Sequence, residues 1–181
     1  MTRNLYLFCS AAEPVFDVAH AIEDAQSRGW DVCLGLTPTA ARWVAGSLDG
    51  LAALTGRPVR WQYKLPGEPD VWPDADALLF APVTFNSVNS WALGLSGRFT
   101  AGVAAEALGR GTPVVAMPCV NAALAAHPQF EQSLSVLRGA GVELLWGEGG
   151  FAPGEAGPDA SARFGWQAAL DAVDRTAAAR S

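Results

Sequence analysis

The sequence predicts an α/β fold, with one domain built on a doubly wound parallel sheet that has helices on both faces and therefore three layers. Apolar, strand-like runs alternate along the chain with helix-like segments, as they do where crossover helices join parallel strands. The strand-like runs are apolar at nearly every position, which is typical of strands covered on both faces. The chain of 181 residues is long enough to bury the core of one such domain, residues 1–181.

The strands and helices follow in chain order from these patterns. The predicted strands are 4–9, 31–36, 59–63, 77–82, 113–118 and 142–146. The predicted helices are 14–29, 37–46, 47–56, 86–111, 121–126, 128–141 and 165–179. Pro14 suits a first helical turn and Gly29 a helix end, while Thr37 and Pro38 suit an N-cap and the position after it. The order is that of a Rossmann-like or flavodoxin-like sheet, in which ligands bind outside the carboxyl ends of the strands.

Two stretches have neither pattern. Residues 64–76 carry three prolines and four acidic residues and are predicted to be a loop. Residues 147–163 are rich in glycine and proline and contain no cysteine, and they could form a mobile loop or a lid over a ligand site.

Composition excludes several classes of function. A net charge of −6 argues against nucleic acid or an anionic membrane as the main partner. No apolar run reaches the roughly 20 residues that cross a bilayer, and the first residues read as a strand rather than a signal peptide. The three cysteines are far apart in sequence, which indicates reduced thiols in the cytoplasm. The sequence has no cluster of Cys and His residues that would indicate a metal site.

Polar side chains stand just after four of the predicted strands, each time before a helix. They are Ser10, Thr37, Thr84, Asn86, Ser87 and Asn121. Helix N-termini attract anions, so these residues could hold a phosphate and the polar groups of a ligand, or each could simply cap its helix. Neither a GxGxxG nor a GxxxxGK[ST] motif is present, which disfavours a dinucleotide or a P-loop site.

From the first strand to about Leu145, the chain resembles the homo-oligomeric flavin-containing cysteine decarboxylases. This family includes phosphopantothenoylcysteine decarboxylase and the peptidyl-cysteine decarboxylases of lantibiotic biosynthesis. The resemblance is carried by 8–19, 36–44, 75–100 and 113–145. Within these segments, Pro82, Thr84, Asn86 and Ser87 match the family's Pro-Ala-Ser-Ala-Asn-Thr motif, and Pro118 and Asn121 match its Pro-Ala-Met-Asn motif.

The resemblance implies an FMN cofactor. It places the phosphate at Ser10, Ala11 and Thr37, and the flavin along the segment Thr84–Ser87, with Asn86 and Ser87 among its contacts. It implies that Asn121 orients the substrate during oxidative decarboxylation of a cysteine carboxylate, in a peptide or a small molecule. It also implies homotrimers or multiples of trimers, and the apolar stretch Ser87–Leu108 would suit either a subunit contact or burial within one chain.

The family's catalytic histidine is missing. Its position falls near Glu68, and a base could come instead from Lys64, Glu68 or Asp70. His20 is expected to pack or face solvent, and His127 to be a turn residue. The alternative is therefore a non-catalytic FMN-binding or regulatory protein. A flavin prenyltransferase would need basic residues for a prenyl phosphate, and Arg98 alone is weak support for one.

Overall fold

A five-stranded parallel sheet, in the order β2-β1-β3-β4-β5, forms the centre of the computed structural model, which describes residues 3–152 and 164–179. The strands are β1 (Arg3–Cys9), β2 (Trp30–Leu36), β3 (Ala77–Val83), β4 (Val114–Pro118) and β5 (Glu143–Leu144). The chain begins at β1, moves outward to β2 and returns to the other side of β1 at β3. The crevice between β1 and β3 is therefore the topological switch point, where ligands of such sheets bind.

Helices connect the strands. They are α1 (Val18–Ser27), α2 (Pro38–Trp43), α3 (Leu48–Thr55), α4 (Phe85–Ala92), α5 (Phe99–Arg110), α6 (Ala122–Ala125), α7 (Pro128–Gly139) and α8 (Trp166–Ala178), with short 3-10 helices at Glu13–Asp17 and Ala45–Ser47. The helix end predicted at residue 111 is confirmed. Gly111 takes the left-handed conformation, at φ 71°, directly after the last residue of α5. The predicted doubly wound α/β class is confirmed.

The sheet divides the interior into two cores because alternate strand residues point to opposite faces. Leu7 and Leu34 face the first core, which α1, α2, α3 and α8 cover. Phe8 and Phe80 face the second core, which α4, α5 and α7 cover. Both cores are apolar, and this explains why the strands carry apolar residues at consecutive positions.

Helix α8 covers β3 and β4 on the first face. Its inward residues Ala169, Leu170, Ala172 and Val173 are fully buried. The C-terminal half of α8 is held at the start of β2, because Asp174 accepts hydrogen bonds from Trp30 Nε1 at 2.9 Å and from Arg28 Nη1 at 3.3 Å.

The predicted strand at 59–63 is wrong. Only Arg60 pairs with β2, through Arg60 N to Leu34 O at 3.1 Å and Leu36 N to Arg60 O at 2.8 Å. Pro58 before it has no N–H to donate, and the residues after Trp61 extend past the carboxyl end of β2. The predicted last strand is likewise shorter, since only Glu143–Leu144 of 142–146 forms a strand.

The single helix predicted at 86–111 is two helices, α4 and α5. The chain turns between Ala92 and Phe99, with Gly94 at φ 69°. Trp91 and Phe99 on either side of the turn are buried in the second core, so burial within one chain accounts for part of the apolar character of this stretch. The expected trimer stays a prediction.

The glycine-rich stretch 147–163 is described only at its beginning. Trp146 pairs with Phe151, whose side chain is buried in the first core. Residues 153–163 of the expected loop or lid lie outside the described residues. Within the described ranges, no helix has the length and apolar character needed to cross a membrane.

Candidate functional site

An open cavity of about 540 Å³ lies at the carboxyl ends of β1, β3 and β4. Three strand-to-helix turns line it, with residues 11–13 after β1, residues 84–86 after β3, and residues 119–121 with Leu124 after β4. Four of the predicted site residues therefore come together here, namely Ala11, Thr84, Asn86 and Asn121. Ser10, Thr37 and Ser87 do not line the cavity.

Ser10 and Ser87 brace the cavity from below. The Ser10 hydroxyl donates to the Ser87 hydroxyl at 2.9 Å, and the Thr84 hydroxyl donates to the same oxygen at 3.2 Å. Both serines are buried, while Thr84 is partly exposed. A second bond crosses the same turns, from Ser10 N to Pro82 O at 2.8 Å. These hydroxyls hold the turns after β1 and β3 in fixed positions.

Thr37 acts as a helix cap. Its Oγ1 accepts from Ala40 N at 3.4 Å at the start of α2, and its own N–H donates to Cys9 O at 2.9 Å. The side chain is 2% exposed. The capping interpretation is thus confirmed for this residue, while its expected role in phosphate binding stays a prediction.

Asn121 lines the cavity from the turn between β4 and α6. Its Oδ1 accepts from Leu124 N at 2.9 Å and caps the short helix α6. The neighbouring Cys119 N donates to Val83 O at 2.9 Å, which ties this turn to the end of β3. Among the described residues, no partner is found for the Asn121 amide nitrogen, and the side chain is exposed. The amide oxygen caps the helix, and the amide nitrogen is available to a ligand.

Glu13 is a cavity residue that the sequence reasoning did not identify. It begins the 3-10 helix after β1 and is partly buried. Within the described ranges, its carboxylate makes no hydrogen bond or ion pair. Burial raises the pKa of the nearby Cys119 thiol to about 12, and the negative charge of Glu13 adds to that effect. The available signal was an acidic residue close after the first strand, in the run 8–16, where Ser10 is the other polar residue.

The three residues expected to replace the missing histidine lie elsewhere. Lys64 Nζ pairs with Asp70 Oδ2 at 2.8 Å, and Glu68 Oε2 accepts from Leu65 N at 2.8 Å. The hydrogen bond from Lys64 lowers the pKa of Asp70. Lys64 and Glu68 line a different cavity, beside residues 59–63. In the monomer, none of the three lines the cavity that contains Asn121.

Neither histidine lines the cavity. His20 is exposed on α1. His127 caps α7 by accepting from Gln129 N at its Nδ1, at 3.1 Å, and its ring packs edge-on against Phe85 at 5.6 Å. The interpretation of His127 as a turn residue is confirmed.

Comparisons with known proteins identify the family of the chain and proteins of similar fold. The sequence profile described as Flavoprotein matches residues 3–169. No curated relative matches the sequence. The chain is similar in structure to the FMN-dependent cysteine decarboxylase TvaF from thioviridamide biosynthesis, at 19% identity and a TM-score of 0.72, over 98% of this chain and 99% of that one.

Two further solved structures are similar. The FMN-dependent cysteine decarboxylase SpaF matches at 23% identity and a TM-score of 0.68, over 95% of this chain and 97% of its own. The cypemycin decarboxylase CypD matches at 18% identity and a TM-score of 0.74, over 98% of this chain and 96% of its own. At these identities the likeness is one of fold.

Proposed function

The chain belongs to the Flavoprotein family, and from that premise we propose that it is an FMN-dependent decarboxylase acting on a cysteine carboxylate. The family confirms the resemblance read from the sequence. Together with the FMN-dependent neighbours, it points to FMN as the flavin. The observation that carries the proposal is the cavity at the switch point, where the free half of the Asn121 amide and the unpaired Glu13 carboxylate line one space.

The cavity suits a flavin. Its walls include the apolar Phe85, Val120 and Leu124, which could cover a planar ring, and the polar Thr84 and Asn86, which could form hydrogen bonds with its edge. A volume of about 540 Å³ lies within the usual range for cofactor pockets. The family resemblance would place the phosphate at Ser10, Ala11 and Thr37, and of these Ala11 lines the cavity.

Asn121 and Glu13 would have separate roles in the reaction. FMN, when bound, supplies the two-electron oxidation of the substrate thiol to a thioaldehyde, from which the carboxylate leaves as CO₂. The Asn121 amide nitrogen would donate to the substrate carboxylate and hold it in place, without titrating. The Glu13 carboxylate would accept the thiol proton, the role that the family histidine plays elsewhere.

Peptides that end in cysteine are the substrate class that the comparisons support best, since a further similar structure, of a variant of EpiD, is a complex with the substrate peptide DSYTC. The three cysteines of this chain are free thiols, which supports the cytoplasmic location expected from the sequence. The alternative of a flavoprotein that binds FMN without catalysis is favoured by one observation, the absence of an imidazole from the cavity.

The test is a mass measurement on FMN-reconstituted protein incubated with a peptide ending in cysteine. In air, where dioxygen reoxidises the reduced flavin after each cycle, turnover should remove the elements of CO₂ and two hydrogen atoms from the peptide. A peptide ending in serine is the matched control and should be unchanged. If flavin binds but the cysteine peptide keeps its mass, the non-catalytic alternative is correct; if no flavin binds, both are wrong.

A further inference from the structure

We propose that residues 59–64 form a docking strip for the extended part of a peptide substrate, upstream of its C-terminal cysteine, and that Arg60 binds an acidic side chain of that peptide. The inference rests on the proposed function for the identity of the peptide. It concerns a surface beside β2, apart from the cavity that contains Asn121.

The strip has an unused backbone. Within the part of the chain that the structure describes, no backbone hydrogen bond is made by residues 61–64, although the segment is not helical and lies at the surface. An exposed row of unpaired N–H and C=O groups is a template for pairing with another extended chain. Such pairing binds peptide backbone without regard to sequence.

The strip is also held in place before any ligand arrives. Arg60 at one side pairs with Leu34 and Leu36 of β2. At the other side the Tyr63 hydroxyl donates to Ser96 O at 2.7 Å. Gly102 leaves the space that this hydroxyl occupies, since a Cβ there would overlap it. A fixed strip loses little conformational entropy on binding, which favours affinity.

Two open cavities are lined by residues of the strip. One of about 420 Å³ is lined by Arg60, Gln62 and Lys64, and the other, of about 470 Å³, reaches Pro38 and Arg42 at the start of α2. Trp61 and Gln62 line both, so the two cavities lie next to each other along the strip, and we treat them as one groove. A groove of this shape fits an extended chain better than a compact small molecule.

Arg60 gives the groove its specificity. Its guanidinium lies over the rings of Phe99 at 4.3 Å and Trp72 at 5.2 Å. No carboxylate of the described residues is within ion-pair distance of it, whereas the neighbouring Lys64 is paired with Asp70. A guanidinium that is stacked on aromatic faces keeps its edge donors free, and their planar fork matches a carboxylate. The groove therefore favours a peptide with an aspartate or glutamate.

The position of the groove fits the peptide that would carry the reacting cysteine. Arg60 pairs with β2, and β2 pairs with β1, whose turn lines the cavity. Two strand spacings, roughly 10 Å, reach the nearest wall of the cavity, and three, roughly 15 Å, reach β3 at its centre, so about three to five extended residues can span the distance. A chain whose last residue lies in the cavity can thus place an upstream acidic residue at Arg60.

The experiment measures binding rather than turnover. Fluorescently labelled peptides ending in serine, which cannot be decarboxylated, carry either aspartate or asparagine, moved one position at a time along the chain. Their affinities for FMN-loaded protein are compared by anisotropy. One aspartate position should bind at least about tenfold more tightly than its asparagine counterpart, as expected for a charge-assisted hydrogen bond.

The variants test whether Arg60 causes the preference. Arg60→Gln should abolish it, and Arg60→Lys should keep only part of it because the fork is lost. Arg110→Gln is the control for net charge, since Arg110 pairs with Glu106 elsewhere, and it should keep the full preference. Gly102→Ala, which displaces Tyr63, should weaken the aspartate and asparagine peptides equally.

A preference that survives Arg60→Gln, or no preference in the parent protein, would overturn the proposal. So would slow hydrogen exchange of the 61–64 amides in the free protein, because another segment or a second copy would then already occupy the strip. An Arg60-dependent preference in a protein that never decarboxylates cysteine peptides would leave the docking strip standing while the proposed function failed.

Discussion

The Ser10 hydroxyl donates to the Ser87 hydroxyl at 2.9 Å, and this one bond joins the turn after β1 to the first turn of α4. Ser87 also accepts from Thr84. Since residues 11–13 and 84–86 form two of the three walls of the candidate site, the buried hydroxyl contact sets the distance between those walls. The two serines were expected to bind a ligand, which stays a prediction, and in the structure they support the turns that line the cavity.

Ser87→Ala should lower the free energy of unfolding by about 1–3 kcal/mol. The substitution removes the acceptor of two hydroxyls, and the Ser10 hydroxyl would be left buried without a partner. Urea unfolding measures the change. Ser135→Ala, on the exposed side of α7, is the control and should shift stability by less than about 0.5 kcal/mol. Equal effects of the two substitutions would contradict this role for Ser87.

Asn121→Ala and Asn121→Asp separate the two halves of the amide. Aspartate keeps the oxygen that caps α6 but loses the amide donor, whereas alanine loses both. We expect both variants to bind FMN and to reduce turnover of a cysteine peptide by at least about tenfold. If Asn121→Asp turns over as fast as the parent, Asn121 serves only as a helix cap.

Glu13→Gln should retain FMN and slow turnover by about 10²–10⁴, the usual contribution of a general base. Glutamine keeps the size of the side chain but cannot take a proton at neutral pH. Flavin content by absorbance and turnover by mass spectrometry give the two readouts. Glu23→Gln, at an exposed position of α1, is the matched control. Parental turnover by Glu13→Gln would assign the base to another residue.

The three thiols should be unreactive in the folded protein at neutral pH. Burial raises the pKa of Cys33 and of Cys119 to about 12 and raises that of Cys9 as well, so the protonated form dominates. Iodoacetamide should label the native protein far more slowly than the urea-unfolded protein. Rapid labelling of the native protein near pH 7 would contradict the expected burial.

The same shifts give a direction for stability at alkaline pH. A raised folded-state pKa means that the thiols' contribution is fully present below about pH 8.5, the pKa of a free thiol, and is lost as the pH rises towards the folded value. The free energy of unfolding should therefore fall between about pH 8.5 and about pH 12, the folded-state pKa of Cys33 and Cys119. Replacing Cys33 with alanine should reduce that slope.

Gly35→Ala should destabilise the protein by about 1–3 kcal/mol, as overpacking of a core does. A Cβ at Gly35 would overlap the ring of Phe8, which is packed among Trp72, Phe80 and Phe99. Gly50→Ala is the contrast, because nothing lies near its Cβ and the residue is within α3. That variant should be neutral or gain up to about 1 kcal/mol, since alanine favours helix.

Periodicity was sufficient to predict the sheet and most of its helices, because burial on both faces leaves a plain apolar pattern in strands such as β3. It could not predict how far residues 59–63 would pair, since that depends on where β2 ends. It also could not predict the break between α4 and α5, since the glycines near residue 94 are compatible with a helix in sequence alone.

The site was predictable as a place but not in its details. The strand ends brought Thr84, Asn86 and Asn121 into one cavity, as parallel topology requires. Whether a hydroxyl faces a ligand or a neighbour is a matter of side-chain geometry. In the structure the Ser10 hydroxyl donates to the Ser87 hydroxyl, and the expected contact of these residues with a ligand stays a prediction. Arg60 was missed because the lack of an ion-pair partner for it among the described residues is visible only in three dimensions.

Helix α8 has a consequence for synthesis of the protein. It covers β3 and β4 on one face, where Leu79, Val115 and Met117 belong to the same core as its own Leu170. A ribosome releases the chain from the N-terminus, so this face stays uncovered until residues 166–178 have left the exit tunnel. Nascent chains would therefore expose this apolar face until α8 has emerged, and chains truncated before residue 166 should be ready clients for chaperones and proteases.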